Sequence, residues 1–355
     1  MTTILSFIFV LGVLVFIHEL GHFLVAKRVG IRVERFSLGF PPYIFQRQKG
    51  ETVYSIGVIP LGGFVKMAGE NPDEESTGAP DEFMSKTVGQ RTAVVFAGPL
   101  MNYVLANIIL IGVFLFVGKP IVDTEHVVVG MVQSESPAAK AGLQPGDVVI
   151  SIDGTPIDNF EAMRKLIEPS AEKPLTMTIA RGQDTLTATV TPALHTRPNI
   201  KGGLDTVGLI GVEQEIIGYN RFGLIESVKR GVVGAHVMVY QTVMFVKMLV
   251  AGEVSPRMVG GPLFIAQQSG REASKGPSSL FVFMALLSIN LAVLNVLPIP
   301  VLDGGHLVFL LIEKIKGSPV TMRARLIAQQ VGFVLLLALI VMVTYNDILR
   351  LIRGY

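Results

Sequence analysis

Four stretches of the chain are nearly unbroken runs of apolar residues: roughly 4–26, 93–117, 280–297 and 326–343. As helices rising 1.5 Å per residue, each is long enough to cross about 30 Å of hydrocarbon. The pattern therefore predicts four transmembrane helices. The first lacks the basic leader and small-residue cleavage site of a signal peptide, and basic residues follow it instead, so it is read as a retained helix. Between the second and third runs the pattern changes. Residues 126–193 alternate as strands do, with Val127, Val129 and Met131 on one face, then Val148, Val149 and Ile150. A hairpin is expected over 175–180 and 186–190, turning at Arg181-Gly182-Gln183-Asp184, with a helix over 159–168 before it. Residues 222–251 instead space their apolar positions by 3.6, at Val228, Val232, Val233, His236, Tyr240, Val243, Phe245, Val246 and Leu249. That spacing predicts a surface helix lying on the outer leaflet. Residues 232–251 are apolar enough for a fifth crossing, but Lys247 opposes it, and a fifth crossing would reverse the side of the last two helices.

Composition agrees with the pattern. Half of the 355 residues are hydrophobic and 16% are charged, against about 25% in a soluble domain, and the mean hydropathy is +0.54. A disordered chain is excluded. The net charge of +2 leaves no basic surplus for phosphates, so nucleic acid is not expected as a partner. With no cysteine, any metal must be held by His, Asp or Glu. Charge also gives an orientation. Lys27, Arg28, Arg32, Arg35, Arg91, Lys314, Lys316, Arg323 and Arg325 flank two of the short connections, against Arg350 and Arg353 at the C-terminus. The positive-inside rule puts 27–92 and 300–325 in the cytoplasm, and the N-terminus and the segment 118–278 outside. Residues 70–85, acidic and rich in Gly, Pro and Ser, are expected to form a mobile cytoplasmic loop.

His18-Glu19-Leu20-Gly21-His22 lies inside the first apolar run. On a helix, positions i and i+4 differ by about 40° in azimuth, so both imidazoles can bind one metal while Glu19 projects nearby to take a proton from water. Three polar residues in hydrocarbon are costly and call for a role; a polar cluster joining helices, or a proton relay, are the plainer alternatives. A catalytic site needs a third protein ligand. His126, His195 and His236 fall on the wrong side of the membrane, whereas Asp303 and His306 sit at the matching depth. Pro298 and Pro300 break the third helix just before Asp303, and Gly304-Gly305 permits close approach. Asp303 is the expected ligand, with His306 its competitor or a hydrogen-bonding neighbour.

These motifs resemble the site-2 protease family of intramembrane zinc metalloproteases, of the bacterial sigma-E-regulator type. His18–His22 is similar to its HExxH, and the stretch from Asn295 to Gly305 to its NxxPxPxLDGG. The resemblance implies that His18, His22 and Asp303 bind Zn2+, with Glu19 as the catalytic base. It also implies that Asn290 and Asn295 steady the substrate, although helix–helix hydrogen bonding explains either equally well. Residues 56–67, containing Gly62-Gly63, resemble the family's membrane-associated β-hairpin, suited to pairing with an unwound substrate. That hairpin, with the break at Pro298, is where substrate unwinding is expected. Pro41 stands where the family commonly has a second glycine in the nearby loop. Gly130-Met131-Val132, the run from Ser136 to Leu143 and Pro145-Gly146-Asp147-Val148-Val149 resemble a PDZ domain, which implies a peptide or protein C-terminus as a partner.

The expected fold is an α-helical polytopic membrane protein with four transmembrane helices, a membrane-associated β-hairpin region and an inserted extracytoplasmic α+β PDZ domain. Its parts are 1–117 (first two helices and hairpin), 118–200 (PDZ-like), 201–278 (amphipathic helix) and 279–355 (last two helices). The resemblance implies an enzyme of the bacterial inner membrane, its active site toward the cytoplasm, that hydrolyses transmembrane segments of single-pass proteins such as an anti-sigma factor, or leftover signal peptides. The rival readings are a catalytically silent PDZ-bearing scaffold, which has no need of buried Glu19 and Asp303; a transporter, for which no inverted repeat is visible; and a soluble zincin with a membrane anchor, whose motif would lie outside the span.

Overall fold

In the computed structural model, which describes residues 2–70, 77–123, 126–198 and 204–353, the first apolar run is helix α1 (Thr2–Arg28). It buries Ser6, Val10, Leu14, His18, His22 and Ala26, every fourth residue along one stripe, so the two histidines continue the helix's own packing face. Next come β1 (Val33–Lys49) and β2 (Thr52–Met67), an antiparallel pair that folds over on itself. Arg35 to Leu38 pair with 53–56 on one side and with 63–66 on the other, which leaves the end of β2 at an edge of the sheet. Helix α2 (Val88–Gly112) opens with a capping box in which Thr87 and Gln90 satisfy each other's backbone N–H, and a π-helical turn at Val113–Val117 extends it.

The chain then forms β3 (Lys119–Val122), β4 (Val127–Val132), α3 (Pro137–Lys140), β5 (Val148–Ile152), β6 (Thr155–Pro156), α4 (Phe160–Ile167), β7 (Leu175–Arg181) and β8 (Asp184–Val190). Four further strands follow: β9 (Ala193–Pro198), β10 (Leu204–Leu209), β11 (Val212–Gln214) and β12 (Ile216–Asn220). Five helices complete it: α5 (Leu224–Val250), α6 (Pro262–Lys275), α7 (Pro277–Val296), α8 (Asp303–Lys316) and α9 (Met322–Arg353). Two compact units result. One comprises Met1–Val113, Leu224–Val246 and Pro256–Tyr355; the other comprises Phe114–Gly223 and Lys247–Ser255.

In the helical unit α1 and α2 run antiparallel in close contact, because Gly21 has no Cβ to meet the Ala97 backbone. Val10 and Leu14 of α1 pack with Met284 of α7, and Leu105 and Ile109 of α2 lie against them. Among the described residues five helices, α1, α2, α5, α7 and α9, are long and apolar enough to cross a membrane, where four were expected. The difference is α5. It is not a free surface helix: it buries Ser227, Gly231 and Ala235, and Ala235 shares a core with Ala106, Leu110, Ala285 and Ile289 of α2 and α7. Its buried face is therefore the small-residue one, while Val228, Val233 and Val243 remain 40–55% exposed. In a membrane helix, small residues mark the packing face and large apolar ones face lipid. Residues 300–325, expected as a loop, contain α8, which begins at Asp303 and ends with left-handed Gly317 after Lys314 and Lys316. The middle of the expected 70–85 loop lies outside the described residues. Its end is folded: Glu82 is buried and accepts from the Thr77 hydroxyl at 2.6 Å.

The second unit is built on a sheet ordered β11-β4-β5-β7-β8, with β6 beside β5. The expected hairpin is present in register, Leu175 opposite Val190 and Arg181 opposite Asp184. Val127, Val129, Val149, Ile152, Met163, Met177 and Ile179 fill its core, while Met131 turns outward. Buried Asp147 accepts from Arg181 Nε and Nη2 at 2.7 and 2.8 Å and from the Gln144 N–H at 2.8 Å. The Arg181 guanidinium holds the Asp147 carboxyl below its ordinary range. A depressed carboxylate stabilises the fold above its unfolded pKa of about 4 and loses that contribution as pH falls through the lower folded value. Asp147→Asn is therefore expected to lower the unit's melting temperature at pH 7. In thermal melts from pH 7 to 3, the difference from wild type should shrink below about pH 4.

Candidate metal centre

His18 and His22 leave α1 on its buried stripe and converge on Asp303, the first residue of α8. Their Nε2 atoms lie 3.2 and 3.6 Å from Asp303 Oδ2 and 3.2 Å from each other. All three candidate ligand atoms fall within 4.8 Å of one another. Asp303 is delivered there by the break after α7. The chain turns through Leu297–Leu302, and the turn closes only because residues 304 and 305 are glycine: a Cβ on Gly304 would overlap the Leu297 and Val296 carbonyls, and one on Gly305 would overlap Pro300. Opposite, Gly98 of α2 lies flat against both imidazoles, where a Cβ would overlap His22 Nε2 and come within 2.8 Å of His18 Cε1.

The far side of each ring is held as well. The Val94 carbonyl lies 2.8 Å from His22 Nδ1 and accepts its proton, so in the neutral ring the Nε2 lone pair faces Asp303. The fully buried Asn102 amide nitrogen lies 3.2 Å from His18 Nδ1, and its Oδ1 has no hydrogen-bond partner among the described residues. Oxygen and nitrogen of an amide exchange on a half-turn, so Asn102 can accept from Nδ1–H and free His18 Nε2 in the same way. Among the described residues, buried Asp303 Oδ2 has no polar partner other than these two imidazoles. Two imidazole nitrogens and one buried carboxylate oxygen at a common point match the donor set of a three-ligand zinc site.

A cavity of about 180 Å³ opens on this centre, lined by His18, Glu19, His22, Phe64, Val65, Met67, Glu70, Val95, Asp303 and His306. The Glu19 carboxylate accepts from the Val65 backbone N–H, which ties it to the end of β2. Gly63 allows that approach, since its Cβ position lies 3.2 Å from Glu19 Cγ. His306 forms part of the wall without joining the ligand group. Asn295 Nδ2 lies 3.5 Å from His18 Nε2, on the metal side of the ring. Asn290 is elsewhere, its Oδ1 accepting from Thr242 Oγ1 of α5 at 2.7 Å. Pro298, Gly62 and Gly63 shape the surrounding backbone and do not line the cavity. Two residues that the sequence reading passed over belong to the site. Asn102 was detectable as a polar position four residues after Gly98 within an apolar run. Glu70 sits where a loop was expected, and burial pushes its carboxyl up to about 7.

The profile of peptidase family M50 matches residues 6–339. The chain belongs to peptidase family M50. This agrees with the resemblance to the site-2 proteases. Among M50 relatives, a zinc metalloprotease RasP from Geobacillus kaustophilus is 34% identical, over 98% of this chain and 97% of that one. A putative zinc metalloprotease from Clostridium perfringens is 38% identical over 95% of both. Among solved structures, the PDZ domain of an SdrC-like protein from Listeria monocytogenes is 22% identical over 26% of this chain and 92% of that one, with TM-score 0.21.

Proposed function

We propose that this multi-pass membrane protein is an intramembrane zinc metalloprotease that hydrolyses single-pass proteins within or beside their transmembrane segments. The observation that carries the reading is the convergence of His18, His22 and Asp303, from two separate helices, on one buried point beside Glu19. His18, His22 and Asp303 hold the zinc, and Asn102 and the Val94 carbonyl orient the two imidazoles. Bound zinc supplies Lewis acidity to a water and to the scissile carbonyl. Glu19, positioned by the Val65 N–H, takes the proton from the attacking water and returns it to the leaving amine as the C–N bond breaks. Asn295 holds the substrate carbonyl beside His18.

A helical substrate hides its carbonyls, so it must unwind. The edge of β2 at 63–67 faces the cavity with Phe64, Val65 and Met67 and accepts the extended segment by strand addition. Gly62 and Gly63 keep that edge free of side chains, and the break at Pro298 leaves room opposite.

We further infer four crossings. Gly231 near the start of α5 packs on Ile111 at the end of α2. Beyond α5, the Arg257 carbonyl accepts from Arg350 near the end of α9, and Gly270 of α6 rests on Thr3 at the start of α1. These contacts share one end of the bundle, so α5 starts and its continuation returns there. A complete crossing would require residues 250–256 to span about 30 Å, beyond the roughly 20 Å that six extended residues reach. The positive-inside rule, applied to the nine basic residues, supports a metal end toward the cytoplasm and a second unit outside. That unit is read as a PDZ domain binding a peptide C-terminus.

The reading is tested with the full chain in detergent and a panel of tagged single-pass segments, including signal-peptide remnants. A zinc chelator is expected to abolish cleavage and added zinc to restore it. Product masses should place the cut inside or next to the apolar span. Cleavage that survives chelation, or maps to a distant soluble segment, would contradict it.

A further inference from the structure

One face of α2 carries Arg91, Val94, Gly98 and Asn102, spaced three, four and four residues apart, and so forms one stripe. Three of these touch the two histidines. The fourth does not. Arg91 forms a two-pronged contact with Glu313 of α8, Nη2 to Oε1 at 2.5 Å and Nη1 to Oε2 at 3.1 Å, with both side chains at most 8% exposed. Its Nε donates to the Lys86 carbonyl at 3.0 Å, so the guanidinium is braced against the start of its own helix. Glu313 closes the last turns of the same helix that begins with Asp303.

We propose that Arg91 and Glu313 are positioning residues that register α8 on α2, and so set the third metal ligand against the two histidines. The inference rests on the metal-centre reading above. The α8 helix has no side-chain cap at its start, and apart from the tight turn before it, Leu310 and Glu313 are its buried anchors beyond Gly304 and Gly305. Because α2 also holds both imidazoles, a bolt between α2 and α8 ties all three ligands to one template. A second cation, Arg325 of α9, lies 3.5 Å from Glu313, but its Nε and Nη2 find no hydrogen-bond acceptor among the described residues. It belongs to the cluster without completing the bolt.

The test measures zinc competition against a chromogenic chelator, kcat, KM and apo-protein melting for the full chain in detergent. Glu313→Gln is expected to weaken zinc binding by about tenfold or more, the scale for groups that orient ligands, and to lower kcat with KM within about twofold. Arg325→Met should leave zinc affinity unchanged. If Glu313→Gln does not fold, Arg91→Lys keeps the charge, breaks the two-pronged contact and should shift zinc affinity in the same direction. Unchanged zinc affinity in Glu313→Gln, with or without a lower melting point, would overturn the proposal, as would equal weakening by Arg325→Met. Wild-type protein that binds no zinc, or His22→Ala that binds it normally, would overturn the metal-centre reading instead and this proposal with it.

Discussion

Glu19→Gln is expected to retain one zinc per chain and to lose about 10² to 10⁴ in kcat, the range attributed to a positioned general base. The substitution is close to isosteric, and its amide oxygen can still accept from the Val65 N–H that ties Glu19 to β2. Glu19 is not in the ligand group, so removing its charge leaves His18, His22 and Asp303 converged. What disappears is the ability to hold a proton between the water and the leaving amine, since a neutral amide is far too weak a base. Asp303→Ala should behave differently and lose metal and activity together, because two imidazoles alone leave the site one ligand short. Zinc content and single-turnover cleavage, measured on the same preparations, separate the two cases. Substantial cleavage by Glu19→Gln would remove it from the chemistry, and full zinc content in Asp303→Ala would remove that ligand.

Much of this arrangement can be read from the chain because hydrocarbon length is a strict constraint. The predicted runs at 4–26, 93–117, 280–297 and 326–343 all fall on long apolar helices, with ends displaced by a few residues and α9 reaching to Arg353. The placement of Asp303 followed from matching depths, a property that basic flanks and proline breaks encode. The burial of α5 was not readable in the same way. Its apolar spacing is that of a water-soluble amphipathic helix, but in a bilayer the large side chains carry no inward direction. The informative pattern was Ser227, Gly231 and Ala235, three small residues four apart. Helix α8 was hidden for a related reason. Its charges and prolines nearby suggest a loop, while the acidic start, basic end and glycine stop are weak signals beside them. Asn102 and Glu70 depend on which side chains the fold brings to one cavity, and no local pattern announces that for Glu70.

Gly98→Ala is expected to abolish zinc binding and cleavage, although on the helix alone it is a stabilising change. Glycine to alanine within a helix contributes about 0.4 to 1 kcal/mol in favour of the folded state. Gly112 of the same helix has open space where a Cβ would go, so Gly112→Ala serves as the control and should leave zinc content and activity intact. At Gly98 the new methyl meets His22 Nε2 and Cε1 and His18 Cε1, the first without room for any contact and the others at 2.6 and 2.8 Å. Neither ring can give way easily, since His22 is fixed by the Val94 carbonyl and His18 by Asn102. The backbone of α2 is equally constrained, because Ala97 lies against Gly21 of α1. Side-chain torsions still yield before packed backbone, so both imidazoles rotate away from Asp303 at the expense of those hydrogen bonds, which separates the ligands while the bundle stays folded. Zinc content should therefore fall below about a tenth of wild type while far-ultraviolet circular dichroism stays unchanged. A Gly98→Ala protein that binds zinc normally would mean that the two rings have more freedom than their contacts imply, and that α2 does not serve as the template for the metal centre.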